Sequence, residues 1–243
     1  MTIKSKHQKV QLIFRRLQKI YPELSAPVKK MPRNEPWQVL VSAVLSTRTQ
    51  DRVTTEVIKR LFCRAPDPQT LAKLNPKEVM KLIYPVGFYK KKAQVLPRLA
   101  KIIIDEENGK VPNIFKRLVR LPGVGRKVAN IVLSQGFGIP AIAVDIHVHR
   151  IFNRLGLVSS QRPEETERKL QKILPKHIWV ECNKVLVAFG QTVCLPKRPK
   201  CEDCPIKNFC LRCGVGKPTT GRGQRGKPVG MFAGKSRSGK AGN

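Results

Sequence analysis

The stretch Leu121-Pro122-Gly123-Val124-Gly125-Arg126-Lys127 constrains the fold more than any other part of the chain. Helical patterns run into it over 113–119 and out of it over 127–133. Pro122, Gly123 and Gly125 stop one helix and force a tight turn before the next. Gly123 and Gly125 can take positive φ and admit a close backbone approach. A turn that ends at a helix start also presents N–H groups without intrahelical partners, which suit a phosphate. The plainer reading is a tight turn followed by solvated basic residues. This stretch alone leaves both open.

The charge balance narrows the choice of partner. Lys and Arg outnumber Asp and Glu by 48 to 16, a formal net charge of +32. That excess points to a polyanion, with nucleic acid first and an anionic membrane surface as the alternative. No apolar run approaches the roughly 20 residues of a membrane span. Met1 to Lys9 is polar and basic, unlike a secretory signal. The expectation is a soluble, intracellular, DNA-associated monomer.

The chain has seven cysteines, and five crowd one short C-terminal stretch. In an intracellular protein that pattern argues for metal rather than disulfides. Cys194, Cys201, Cys204 and Cys210 follow the spacing C-x6-C-x2-C-x5-C, which can hold zinc or an iron–sulfur cluster. Cys213 is left over, and Cys63 and Cys182 read as ordinary buried thiols. Lys197, Arg198 and Lys200 lie between the first two of the four cysteines and form a candidate phosphate-binding edge.

The remaining pattern is helical. Val10, Ile13, Leu17 and Ile20 recur at helical spacing, and further helices are expected over 52–62, 76–83, 90–104, 164–173 and 178–189. The apolar run Val39 to Leu45 suits a central helix, although a buried strand has the same signature. Pro27, Pro32 and Pro36 mark one break, and Pro66 and Pro68 another. No strand and no internal repeat stands out. Residues 214–243 carry many Gly, Lys, Arg and Ser and no acid, and read as a disordered basic tail with salt-sensitive DNA affinity.

Asp145 stands eighteen residues after Lys127, in Val144-Asp145-Ile146-His147-Val148-His149-Arg150. It suits a helix N-cap, and also a carboxylate facing Lys127 across a cleft. The hairpin stretch, this segment and the four cysteines together resemble the endonuclease III family, bifunctional DNA glycosylases of the helix-hairpin-helix, Gly/Pro…Asp superfamily. The resemblance covers about residues 8 to 212. It implies an all-α, two-lobed fold with a C-terminal iron–sulfur loop. One lobe is a six-helix bundle over 29–139. The other joins 1–28 to 140–213. The cofactor it implies is a [4Fe–4S] cluster on Cys194, Cys201, Cys204 and Cys210. The partner it implies is duplex DNA with damaged bases or abasic sites.

The resemblance also assigns roles. Lys127 is the nucleophile and Asp145 the essential acid, removing oxidised pyrimidines through a Schiff base and β-elimination. Gly123, Gly125, Arg126 and His147 are expected at the DNA, with Arg126 adding positive charge beside Lys127. His147 and His149 point to different helix faces, so a shared metal is not expected. The loop holding Arg48 is expected to fill the gap left by a flipped nucleotide. Family members commonly carry Gln at that position, so Arg48 keeps a T(U)/G mismatch glycosylase in view. Asp51 reads as a helix cap. Phe88 or Tyr89 sits on a second wedge loop, with phosphate contacts for Lys90, Lys91 and Lys92. A non-catalytic iron–sulfur DNA-binding protein is the third reading, and the presence of both Lys127 and Asp145 argues against it.

Overall fold

The computed structural model describes residues 2–26 and 32–216. The described residues form helices and no strand, so the chain is all-α. Helix α1 (Ile3–Ile20) buries Val10, Ile13, Phe14 and Leu17 on one face. Helix α2 (Pro36–Ser46) is buried all round from Val39 to Leu45, as expected of a helix at the centre of a core. Pro36 at its first turn costs no hydrogen bond there. Helices α3 (Asp51–Arg64), α4 (Pro68–Ala72), α5 (Pro76–Ile83), α6 (Tyr89–Glu106), α7 (Phe115–Leu118) and α8 (Arg126–Ile131) follow; α3, α6 and α8 pack on α2, α4 and α5 on α6, and α7 on α8, which runs on into a π-turn, Val132–Gly136. Helices α9 (Ile146–Arg154), α10 (Pro163–Ile173) and α11 (Lys176–Thr192) follow.

Helix α4 falls where a break was expected. Pro68 starts it, and the Asp67 carboxylate accepts from the Thr70 amide at 2.7 Å. Thr70 Oγ1 accepts from the Asp67 amide at 3.3 Å in return. Pro66 and Pro68 therefore open a turn of helix rather than only closing one. Among the described residues, α4 adds Leu71 to the buried core around α2. Cys63 is a second correction. The buried stripe of α3 runs through Thr54, Val57, Ile58 and Leu61, and Cys63 falls off it into solvent. Cys182 is buried as expected. The basic tail lies outside the described residues from 217 onward.

Buried hydrophobics form two clusters, one built from residues between Val39 and Ala141, the other from α1 and residues between Ile142 and Ile206. Neighbours in sequence, Ala141 and Ile142, belong to different clusters. The chain crosses between them in an irregular segment over 138–145, buried from Ala141 to Val144. Buried backbone outside regular structure needs other hydrogen-bond partners. Asn130 Nδ2 on α8 donates to Ile142 O at 3.0 Å, and Asn183 Nδ2 on α11 donates to Ala143 O at 2.9 Å. These two amides set the path that delivers Asp145.

Replacing Asn130 or Asn183 with Ala strands a buried carbonyl in each case. Each change should cost about 1–3 kcal/mol in chemical unfolding. A loss below about 0.5 kcal/mol for both would mean that the crossover is held by apolar packing alone.

Candidate active site

Lys127 and Asp145 come from opposite cores and line one cavity between them. The wall includes Ser42 and Ser46 of α2, Asp51 of α3, Ile131 of α8, and Asn183 and Lys184 of α11. Lys127 sits in the first turn of α8. Asp145 caps α9, and its Oδ1 accepts from the amides of His147 and Val148, each at 2.9 Å. The cap and the cavity carboxylate are therefore the same residue.

Other expected residues fall differently. Arg126 does not line the cavity. Its Nη2 bonds Glu167 Oε1 of α10 at 2.7 Å, and its guanidinium lies 4.9 Å from the Phe115 ring centre. The hydrogen bond to Glu167 raises the pKa of Arg126 further. Its charge is thus paired with the nearly buried Glu167, while its own side chain stays half exposed. Gly123 has φ +78°, and a Cβ there would lie 2.9 Å from Val95 Cγ1 of α6, so glycine is required. Gly125 does not use positive φ: it is extended at φ −92°, with open space where a Cβ would stand. Lys197, Arg198 and Lys200 are all exposed.

His147 is half-buried, and its Nδ1 meets Arg150 Nη2 at 3.1 Å. Guanidinium only donates, so Nδ1 accepts and the ring proton sits on Nε2. Burial pushes the His147 pKa down, against the opposing pull of Asp145. His149 Nδ1 pairs instead with Thr166 Oγ1 at 2.7 Å. The two histidines thus have separate partners.

Two cavity residues escaped sequence reasoning. Asp51 reads as a helix cap in the sequence, but Gln50 is the N-cap of α3 and Asp51 its first residue. Asp51 Oδ2 accepts from Gln191 Nε2 of α11 at 2.6 Å, across the two cores. Lys184 had no motif around it. Burial, then the charge of Arg33, pushes its pKa down to about 8. Glu181 pairs with it one turn away.

Of the wedge-loop residues, Arg48 is exposed and its guanidinium lies 5.2 Å from the Phe88 ring centre. Phe88 is 54% exposed, whereas Tyr89 packs edge-on against Tyr84 and against the first core. Lys90 and Lys91 are exposed, but Lys92 is buried and bonded to backbone oxygens of the Arg48 loop. A phosphate contact for Lys92 is therefore corrected: the α2 carbonyls claim its ammonium first.

The four C-terminal cysteines line a second cavity, backed by Ile151, Leu155, Phe189 and Ile206. All four are free thiols. Burial first, then the neighbouring sulfurs, push Cys204 up to about 11, a state that metal binding would reverse by displacing protons. Arg154 of α9 binds the loop, with Nη1 donating to Leu195 O at 2.7 Å and to Cys194 Sγ at 3.4 Å, and Nη2 to Pro196 O at 2.8 Å. Four thiolate donors on an apolar wall, with a cation at one sulfur, suit an anionic iron–sulfur group. Cys213 is exposed and outside the cavity wall.

The family model of the HhH-GPD superfamily of base excision DNA repair proteins matches residues 41–176, and that of the iron-sulfur binding domain of endonuclease III matches 194–210. The sequence is 47% identical to endonuclease III of Thermotoga maritima over 187 residues, 75% of this chain and 88% of that one. The chain belongs to the endonuclease III family. Two solved members share its fold. A non-covalent endonuclease III–DNA complex superposes with TM-score 0.78 at 33% identity, covering 87% of this chain and 96% of that one. A trapped endonuclease III–DNA covalent intermediate gives 0.77 at 33% identity, covering 87% and 97%. Like its relatives, this endonuclease III family member carries an iron–sulfur cofactor, in the domain formed by Cys194 to Cys210. No helix among its described residues is long and apolar enough to cross a membrane.

The depressed pKa of His147 predicts an acid-side loss of stability. The unfolded chain protonates this residue first as pH falls. Its contribution is full above about pH 6.5 and is lost as pH falls toward the folded-state pKa. His147→Gln should flatten the acid limb when unfolding is compared between about pH 7 and pH 5. Parallel curves for the two proteins would place the acid sensitivity elsewhere.

Proposed function

We propose that this protein is a base excision repair DNA glycosylase with AP lyase activity, and that it removes oxidised pyrimidines from duplex DNA. The observation that carries the reading is the pair Lys127 and Asp145, set on two helix N-terminal turns in the wall of one cavity.

The residues support the following chemistry. Cleavage of an N-glycosidic bond develops positive charge on the sugar, and the Asp145 carboxylate stabilises it. The neutral amine of Lys127 attacks the anomeric carbon, the bond to the base breaks, and the base leaves with the bonding electron pair. The covalent product passes a proton from its nitrogen to O4′ as the C1′–O4′ bond breaks, which opens the sugar ring to a protonated Schiff base; loss of a C2′ proton and departure of the 3′-phosphate by β-elimination then cut the strand 3′ to the lesion. Lys127 must first lose a proton.

Further parts of the reading concern binding. We assign a [4Fe–4S] cluster to Cys194, Cys201, Cys204 and Cys210. The spacing C-x6-C-x2-C-x5-C within the matched iron-sulfur binding domain, and the apolar cavity that the four cysteines line, support this assignment over zinc. This cavity shares no wall residue with that of Lys127, which supports a structural or DNA-positioning cluster over a catalytic one. The two cores support lobes at 29–139 and at 1–28 with 140–213, with DNA across the groove between them. Arg48, Gly123, Gly125, Arg126, His147, Lys197, Arg198 and Lys200 are assigned to the DNA side, and damaged or abasic duplex is the substrate within the cell.

Borohydride trapping tests the defining bond. Duplexes carry thymine glycol, uracil opposite guanine, or an abasic site. Wild type should form a covalent adduct with the thymine glycol duplex, and Lys127→Ala should form none. Asp145→Asn should slow base release by roughly 10²–10³-fold. An adduct mainly with the uracil–guanine duplex would move the protein to mismatch repair, which Arg48 keeps in view. No adduct from cluster-loaded, DNA-bound protein would end the lyase reading. Separately, Cys201→Ser should lose iron and visible absorbance; retention of both would remove Cys201 from the cluster.

A further inference from the structure

Beside the cavity stands an exposed tip held from within by a lysine that the reaction does not use. Lys92, in the first turn of α6, is only 7% exposed. Its Nζ donates to Leu45 O and Thr47 O, each at 2.7 Å, and to Thr49 Oγ1 at 3.3 Å. Leu45 and Thr47 lie at the C-terminal end of α2, where carbonyls lack helical partners and the dipole favours a cation. Burial lowers the Lys92 pKa to about 8, which leaves the amine mainly protonated at neutral pH.

The same network joins two loops. Thr49 Oγ1 also accepts from the Gly87 amide at 3.0 Å, tying the loop after α2 to the loop before α6. Gly87 is required at this contact, because a Cβ would collide with the Arg48 carbonyl oxygen. At the outer end of the joint, Arg48 has φ +52° and Phe88 φ +58°. Left-handed backbone at such residues costs of order 1–3 kcal/mol and persists only where its surroundings enforce it. Arg48 and Phe88 stack on each other in solvent. Ser46 and Asp51, at either end of the Arg48 loop, line the cavity with Lys127 and Asp145. An aromatic face and a planar cation with free donors suit the space that an extruded nucleotide leaves in a base stack.

We propose that Lys92 is a positioning residue: its buried ammonium holds the Arg48–Phe88 tip raised, so that filling the vacated stack during base extrusion depends on it. This rests on the functional reading above. Lys92 acts through the loop and touches no reacting atom.

The test is stopped-flow fluorescence of 2-aminopurine placed opposite a tetrahydrofuran abasic analogue in duplex DNA, with base release from thymine glycol run in parallel. Lys92→Met should slow the fluorescence change by roughly tenfold or more, the scale of one lost charge-assisted hydrogen bond. Arg48→Ala should slow it as well, and adding Lys92→Met to Arg48→Ala should slow it no further. If Lys92→Met does not fold, Thr49→Val removes only the shared hydroxyl and should slow insertion, while Thr49→Ser restores it. Insertion at the wild-type rate in Lys92→Met, or in Thr49→Val where that variant stands in, overturns the proposal. So does a slowing by Lys92→Met that is as large in the Arg48→Ala background. Wild-type protein that gives the fluorescence change but releases no base removes the glycosylase reading and leaves the role of Lys92 standing. Wild-type protein that gives no fluorescence change overturns the role of Lys92.

Discussion

The crossover over 138–145 is the constraint on which the arrangement depends. Its backbone passes between two separate hydrophobic cores without helix or sheet to satisfy it. Asn130 from one core and Asn183 from the other supply donors to adjacent carbonyls, at 3.0 and 2.9 Å. Apolar burial brings the segment in, and these amides make its burial tolerable. Asp145 emerges at its end with its carboxylate committed to the start of α9. A carboxylate held by two amide donors has little freedom to turn, which suits a group that must stabilise charge without reorganising.

Electrostatics follow a similar economy. The chain has 16 acidic residues against 48 basic ones, and several acids are used inside the protein. Glu167 engages Arg126, Glu107 engages Arg117, Glu202 engages Arg212, and Glu181 engages Lys184. Asp67 and Asp145 cap helices. The cations left without such partners set the field outside, and a large positive field steers a polyanion toward the protein. Exposed pairs such as Arg212 with Glu202 add little stability, whereas the nearly buried Glu167 would be costly without Arg126.

The iron–sulfur loop is fastened to the same frame. Arg154 extends from α9, the helix that Asp145 begins, and binds the backbone of Leu195 and Pro196. Arg150, one turn earlier, donates to Cys194 O at 2.8 Å and to Gly190 O at 3.1 Å. One helix therefore positions a cavity carboxylate at its start and the cofactor loop at its end. The two chemistries stay in separate cavities yet share a mechanical support.

Much was legible in the sequence because it is local. Apolar periodicity located nearly every long helix, since 3.6-residue spacing reflects one buried face. The hairpin residues and the cysteine spacing carry their chemistry in short stretches of chain, and Lys127 and Asp145 stand within two such stretches. What the sequence could not determine depends on which distant groups meet. Lys92 looked like a phosphate contact because its neighbours are lysines, but folding places it under α2, where open carbonyls hold it. Asp51 looked like a cap until α11 brought Gln191 across to it. Gly125 resembled Gly123, yet of the two only Gly123 has positive φ, and only there would a Cβ meet α6. Spacing along the chain records helices and ligand sets, but the partner of a buried charge is chosen by the packing of elements far apart in sequence, and only the tertiary structure decided it.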